Sequence, residues 1–410
     1  MPISMTLIDI APKLESGKSP FEDASIYSPP GPEGDATKLS SPRSYTLSLS
    51  PQLIYSRSSL LPVLISSKVF RQLEFQAVGS WWIQKPGTGS ESEGDATNSA
   101  STTLYRVPGS REDVFADRLI SVKSKRTLMK FLRHISKDQQ DGEESEEEDL
   151  SIPLPDYLSS KFQIPDELHD PLLSLSLSQN SPKQTAANYA VSRIKQHLAS
   201  IGVFGPGFGS LIAKWGGGSE IAQVGCRALA VGGGVYVLNA GVESISDSPD
   251  SDDGRTHIRL SNGDTVTTKF TVGSHWDLPS QPVAMHQPHC HKVARSISVV
   301  GSPLETLFEI TAEGAPTPAG AVVVFPGKSL GQGDDSPPVY LLVHSCDTGE
   351  CPIGQSKSDF LYLQPFYSTA QMMLSQILIY IACNCIDEIY SIILIMSSTI
   401  NILCAYISMA

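Results

Sequence analysis

Three stretches hold residue types whose spacing could do chemistry. The first is His286, His289, Cys290 and His291 (HQPHCH). Zinc takes three or four such ligands in a tetrahedral arrangement. Three consecutive ligands, His289 to His291, would point to alternate sides of an extended chain. No spaced second pair follows unless Cys346 and Cys351 reach back. The segment therefore reads as a loop, and no metal is expected. The second stretch is Gly205-Pro206-Gly207-Phe208-Gly209. A phosphate-cradling loop follows a strand and keeps the Gly-x-Gly-x-x-Gly order or ends in Lys-Ser/Thr. This one follows a helical pattern and has neither ending, so no nucleotide cofactor is expected. No Gly-x-Ser-x-Gly elbow occurs, and no Cys or Ser can be paired with a His on sequence grounds. Independent catalysis is not expected. The third stretch contains Glu220 and Arg227, opposite charges seven residues apart. At that spacing both project from the same side of a helix after two turns. Such a pair reads either as a solvated helix face or as a polar docking face.

The elements around that pair set its geometry. Arg193 to Ile245 reads as helix, two glycine turns, helix, glycine turn and strand. Ser219 can cap a helix whose first turn holds Glu220, where a carboxylate suits the positive end of the dipole. Ile221, Val224, Ala228 and Val231 recur at spacings of three and four, predicting one buried stripe. Gly232, Gly233 and Gly234 stop the helix, because glycine takes positive φ freely. Val235 to Leu238 follow as a short strand, and Asn239 begins a turn.

The ordered set Glu220, Gln223, Arg227, Gly233, Gly234, Tyr236, Leu238 and Asn239 resembles the second Rab-contacting block of the Rab GDP-dissociation inhibitor and Rab escort protein superfamily. A leucine-rich helix followed by Arg71, Leu73, Phe75 and Val78 is similar to a structural passage of the same superfamily. The segments 319–326 and 344–355 resemble fungal escort proteins more than the shorter GDP-dissociation inhibitors.

Elsewhere the chain divides by composition. Residues 1–42 are rich in Ser, Pro, Gly and Asp and read as mostly loop. Residues 43–109 and 201–355 alternate in the manner of strands, and form one split sheet-containing domain. In it Tyr45, Leu47 and Leu49 predict a strand, Thr256–Leu260 and Thr265–Val272 predict a hairpin about Asn262-Gly263, and 319–325 and 339–344 predict buried strands. Residues 110–200 read as helices, opening with an approximate capping box at Ser110 and Asp113. Lys123, Lys125, Arg126, Lys130 and Arg133 make a basic stripe there, either a solvated helix face or a partner-docking one. An acidic loop, 139–150, interrupts this helical domain. Residues 356–410 form an atypical hydrophobic tail. Met372 to Met396 is long enough to resemble a membrane span, but Asp387 and Glu388 sit in its middle, which is costly in hydrocarbon. The readings left open there are a mis-spliced end, a tail anchor and a buried helix.

The formal charge of −13 argues against nucleic acid as a partner, since phosphate binding needs clustered Lys and Arg. The 40% hydrophobic content supports a real core. Seven scattered cysteines and no secretory pattern at Met1 suggest a cytoplasmic chain with reduced thiols.

The resemblance implies an α/β (α+β) fold: a mixed-sheet domain like that of FAD-dependent enzymes, with an inserted all-helical domain. The strand–glycine-turn–helix unit with which family members begin is not seen here, so the chain reads as shortened at its N-terminus. As function the resemblance implies a non-catalytic escort. Such a protein binds GDP-form Rab GTPases and presents them to geranylgeranyltransferase. It takes up the geranylgeranyl lipid and associates transiently with membranes. Carried over by position, Glu220 and Arg227 meet polar groups of the Rab switch region. Val235 and Val237 add aliphatic contacts from the adjoining strand. The alternatives are a GDP-dissociation inhibitor that recycles prenylated Rab and, more remotely, the remnant of a flavin oxidoreductase.

Overall fold

The computed structural model describes residues 21–27, 40–48, 51–85, 103–136, 149–238, 240–247, 255–273, 291–331, 333–363 and 391–400. The strands in chain order are β1 (Phe21–Tyr27), β2 (Ile54–Tyr55), β3 (Phe75–Lys85), β4 (Thr103–Arg106), β5 (Ser210–Ala213) and β6 (Val242–Asp247). They continue with β7 (Thr256–Leu260), β8 (Thr265–Thr268), β9 (His291–Val300), β10 (Gly320–Phe325), β11 (Val339–His344), β12 (Ser356–Leu363) and β13 (Ser391–Ile400). The α-helices are α1 (Leu60–Ser66), α2 (Arg111–Ala116), α3 (Val122–Ser136), α4 (Leu154–Tyr157), α5 (His169–Ser176), α6 (Ala187–Ser200) and α7 (Gly218–Val231).

Ten strands make one sheet in the order β1-β13-β9-β12-β11-β10-β3-β5-β2, with β4 beside β3. Every pairing is antiparallel except β3 with β10, where Val322 faces Trp81 and Val323 faces Trp82. The sheet's centre follows from composition. Strands β10 (GAVVVF) and β11 (VYLLVH) are nearly continuous β-branched and aliphatic runs, and all six residues of each are buried. Such a run suits a strand covered on both faces. On one face Val78, Ile83, Val322 and Val324 share a core with Leu128, Phe131, Leu158 and Ile194 of the helical block. On the other, Val323, Phe325, Leu341 and Phe360 pack with Leu307 and Phe308. A separate three-stranded sheet, β6-β7-β8, turns at Asn262-Gly263. There Gly263 has φ +91° and Asn262 Oδ1 accepts the Asp264 N–H.

Among the described residues, five α-helices lie between β4 and β5. Helix α2 opens on a complete capping box: Ser110 Oγ accepts the Asp113 N–H, and Asp113 Oδ2 accepts the Ser110 N–H. A cap of this kind contributes about 1 kcal/mol. Helix α3 buries Leu128, Phe131 and Ile135 at helical spacing and leaves Lys123, Arg126, Lys130 and Arg133 exposed.

Several sequence expectations need correction. Residues 45–48 form no strand, although Tyr45 and Leu47 are buried; the Thr46 N–H bonds a loop carbonyl, that of Glu350, instead of a ladder. Phe21–Tyr27, expected as loop, runs as a strand along β13. Ser356–Leu363, assigned to the tail, is an inner strand between β11 and β9. Ser391–Ile400 pairs with β9 along its whole length, so the C-terminal part of the apolar run is strand and not helix. A uniformly apolar run shows no period by which strand and helix can be told apart. Residues 364–390, with Asp387 and Glu388, lie outside the described residues. Among the described residues no helix is long and apolar enough to cross a membrane.

His197 of α6 is buried edge-on against Trp81 and Tyr55, with ring centroids 4.8 and 5.8 Å away. Its Nδ1 has no hydrogen-bond partner, and burial lowers its pKa to about 4. The unfolded chain therefore binds a proton between pH 6.5 and 4 that the folded chain refuses. Stability is full above the unfolded pKa and falls as pH drops through this window, by roughly 3 kcal/mol. Denaturant unfolding of wild type and His197→Phe from pH 7 to 4 should show a shallower slope in the variant.

Candidate partner-binding face

Helix α7 carries the charged pair. The chain leaves the fully buried strand β5 and must reverse before the helix can start. It does so through Trp215-Gly216-Gly217, with φ +75° at Trp215 and +61° at Gly217. Gly217 is the N-cap, not Ser219 as expected. The Ser219 hydroxyl is occupied in donating to the Gly216 carbonyl at 2.7 Å. Gly216 itself leaves no space for a side chain: a Cβ there would lie 2.6 Å from Ser219 Oγ and 3.6 Å from Glu220 Oε1. Glu220 is thus half-buried in the first turn, its carboxylate leaning back over the glycine turn.

Arg227 is exposed two turns later, about 10 Å along the axis. Its Nη1 donates to Gln72 Oε1 at 3.4 Å, across to the short 3-10 turn Val69–Gln72. The buried stripe predicted for α7 stops early. Val224 is buried and Ile221 packs against the α1 core, but Ala228 is exposed and Val231 is 86% exposed. The second half of the helix is exposed apart from the Arg227 contact to Gln72.

The chain then turns at Gly232 and Gly233. Val235 to Leu238, predicted as a strand, are irregular and pair with no described strand. A strand persists only where its N–H and C=O groups find a ladder partner. Val235 is 83% and Val237 54% exposed, so neither belongs to the core. The structure therefore brings Glu220, Arg227, Val235 and Val237 onto one helix and the loop that leaves it, all accessible to a partner.

A second layer, not found by sequence reasoning, supports the start of α7. The hairpin loop from Ser345 to Gln355 joins β11 to β12. Its Thr348 carbonyl accepts the Trp215 N–H at 2.8 Å, and its Glu350 carbonyl accepts the Thr46 N–H at 3.0 Å. Four buried ionisable side chains hold this loop. Glu350 Oε2 meets His344 Nδ1 at very short range and Lys357 Nζ at 3.2 Å. Asp359 Oδ2 meets Lys357 Nζ at 3.3 Å and His344 Nε2 at 3.4 Å. Each of the four side chains is at most 5% exposed. Burial pushes the Glu350 carboxyl up, but Lys357 and His344 together pull it further down, to about 2. For Asp359 burial outweighs Lys357 and His344, and the pKa is raised. Burial works against charge on Lys357, yet the two carboxylates hold its pKa above the usual lysine value. On the adjoining strand β9, Arg295 interacts electrostatically with Asp359; burial lowers its pKa to about 10. The only signal for this network in the sequence is a pair of charges at alternate positions, Lys357 and Asp359, inside an apolar strand.

His286, His289 and Cys290 lie outside the described residues. Among the described residues no three His, Cys, Asp or Glu side chains are grouped to hold a metal ion. Gly207 and Gly209 lie in the turn entering β5, pressed against Thr311 and Ile201 respectively, and serve packing.

Comparison with known proteins agrees with this architecture. Residues 24–314 match the family model described as GDP dissociation inhibitor. A Rab proteins geranylgeranyltransferase component A from Candida albicans is 29% identical over 352 residues, covering 84% of this chain and 50% of the relative. One from Saccharomyces cerevisiae is 26% identical over 318 residues, covering 77% and 47%. The chain spans about half the length of these curated relatives. Among solved structures, the Rab GDI of Plasmodium falciparum superposes with a TM-score of 0.60 at 15% identity, covering 92% of this chain and 81% of that one. An oxidoreductase from Methanosarcina mazei superposes with a TM-score of 0.56 at 12% identity, covering 87% and 78%. At these identities the superpositions speak for the fold alone.

The buried charges make a prediction. Glu350→Gln removes one counterion from Lys357 and His344 and should cost about 3–5 kcal/mol. Because the folded Glu350 pKa lies below its ordinary value, its stabilisation is present above about pH 4.5 and is lost as pH falls toward 2. Denaturant unfolding at pH 7 and pH 3 should show the variant's deficit shrinking at the lower pH.

Proposed function

The chain belongs to the GDP dissociation inhibitor family, and from that premise we propose that it acts as a Rab escort protein. In this reading it binds Rab GTPases in their GDP form and presents them to geranylgeranyltransferase. It is a non-catalytic accessory: the transferase performs the chemistry. The geranylgeranyl group of the modified Rab is sheltered by the helical block, and the complex works in the cytoplasm with transient visits to membranes.

The observation that carries the proposal is the face of α7. Glu220 and Arg227 stand two turns apart on an accessible side, and the loop beyond them leaves Val235 and Val237 exposed. A face with one acid, one base and an aliphatic border suits a partner that offers polar groups around an apolar patch. The naming of the two yeast relatives as component A of the Rab transferase supports escort over recycling.

The test is prenyl transfer to a GDP-loaded Rab by purified geranylgeranyltransferase, with and without this chain. Transfer should depend on the chain. Glu220→Ala and Arg227→Ala should each weaken Rab binding by about 1–2 kcal/mol, roughly tenfold. Their melting temperatures should stay near wild type, since neither side chain is buried. Transfer that proceeds equally without the chain would sink the escort reading. Extraction of prenylated Rab from membranes without any support of transfer would point to a GDP-dissociation inhibitor instead.

A further inference from the structure

We infer that Trp215 is a further Rab-contacting residue of this face, held in a binding-ready position by the loop from Ser345 to Gln355. The inference rests on the α7 reading proposed above.

Four observations converge on this residue. Trp215 is 50% exposed, although it directly follows a buried strand and could be expected to fold inward. Its backbone is left-handed, φ +75°, a conformation that a bulky side chain adopts only when its surroundings impose it. Those surroundings are visible. The Trp215 N–H is tied to the Thr348 carbonyl, and the indole lies so close over Gly349 that a Cβ there would come within 2.3 Å of the ring. Lys214 places its ammonium 4.6 Å from the ring centroid while pairing with Glu74 at 3.4 Å. Finally, the ring is next in chain to Gly216, over which the Glu220 carboxylate leans.

A strained backbone that turns a large aromatic outward opposes stability, so its explanation is sought in binding. An indole clamped from below loses little freedom when a partner covers it, and tryptophan is enriched among residues that dominate interface energies. The buried charges supply the clamp: they fix the loop, the loop fixes Gly349 and Thr348, and these fix Trp215. Trp215 is thus the contacting group, and His344, Glu350, Lys357 and Asp359 are positioning residues.

The experiment compares Trp215→Gly, Trp215→Asn and Trp215→Phe with wild type, Glu220→Ala and Arg227→Ala. For each, affinity for GDP-loaded Rab and melting temperature are measured. Gly and Asn both accept positive φ. They should therefore keep or raise the melting temperature while weakening Rab binding at least tenfold. Phe should bind within about threefold of wild type, since it keeps most of the aromatic surface. Hydroxyl-radical footprinting of the wild-type chain gives a readout that needs no variant to fold. Added Rab should protect Trp215 and leave Trp81 unchanged. If Glu220→Ala and Arg227→Ala weaken binding but Trp215→Gly and Trp215→Asn do not, the inference fails and the α7 reading stands. An unprotected Trp215 in a footprint where Rab binds has the same meaning. If the two charge variants bind as wild type, or the wild-type chain does not bind Rab, the α7 reading falls and the inference goes with it.

Discussion

Four ionisable groups buried together are tolerated only through their mutual pairing, and that requirement organises the loop behind α7. Lys357 and Asp359 sit on one face of β12, His344 ends β11, and Glu350 reaches in from the loop between the two strands. Moving any one of them strands a charge in low dielectric, where the penalty is several kcal/mol. The hairpin loop is therefore tied to the strands it joins, and its backbone bonds to Trp215 and Thr46 connect it to the start of α7. The outward face of α7 is thus positioned by a buried polar group behind it.

Around this device the fold solves an ordinary packing problem. A wide sheet needs both faces covered. The helices between β4 and β5 cover one face, with Phe131, Leu158 and Ile194 meeting Val78, Val322 and Val324. Leu307 and Phe308 cover the other at Val323 and Phe325. The central strands can then be the uniformly apolar β10 and β11. Helix α7 sits at the margin of this arrangement. Its first half is anchored through Val224 and Ile221, and its second half projects with Leu229 and Val231 exposed. Anchored at one end and largely exposed at the other, it is suited to present side chains to a partner without rearranging.

Much of this was legible in the chain before any coordinates. Glu220, Arg227 and the glycines after them stand in a family-like order, and the helix they imply is present as α7. The apolar runs of β10 and β11, the Asn262-Gly263 hairpin and the Ser110–Asp113 capping box were readable because each depends on neighbours in sequence. Where reading failed, the deciding partner was distant. Val235 to Leu238 has strand-forming composition but no neighbour to complete a ladder. Ser391–Ile400 is apolar enough for a helix but lies along β9. Ser219 is a good capping residue whose hydroxyl is engaged by Gly216.

By itself, then, the sequence determined the family, the helix α7, the buried strands β10 and β11 and the Asn262-Gly263 hairpin, and it nominated four residues as Rab contacts. Local propensity and side-chain period are properties of short windows, and a family signature is a property of order. Only the tertiary structure decided that Arg227, Val235 and Val237 are exposed with Glu220 half-buried beside them, and that Trp215 is turned outward in a left-handed conformation. It also decided that four ionisable side chains, Glu350, Lys357, Asp359 and His344, meet in one buried group. Exposure and charge pairing depend on which distant segments arrive at the same place, and no window of sequence contains that information.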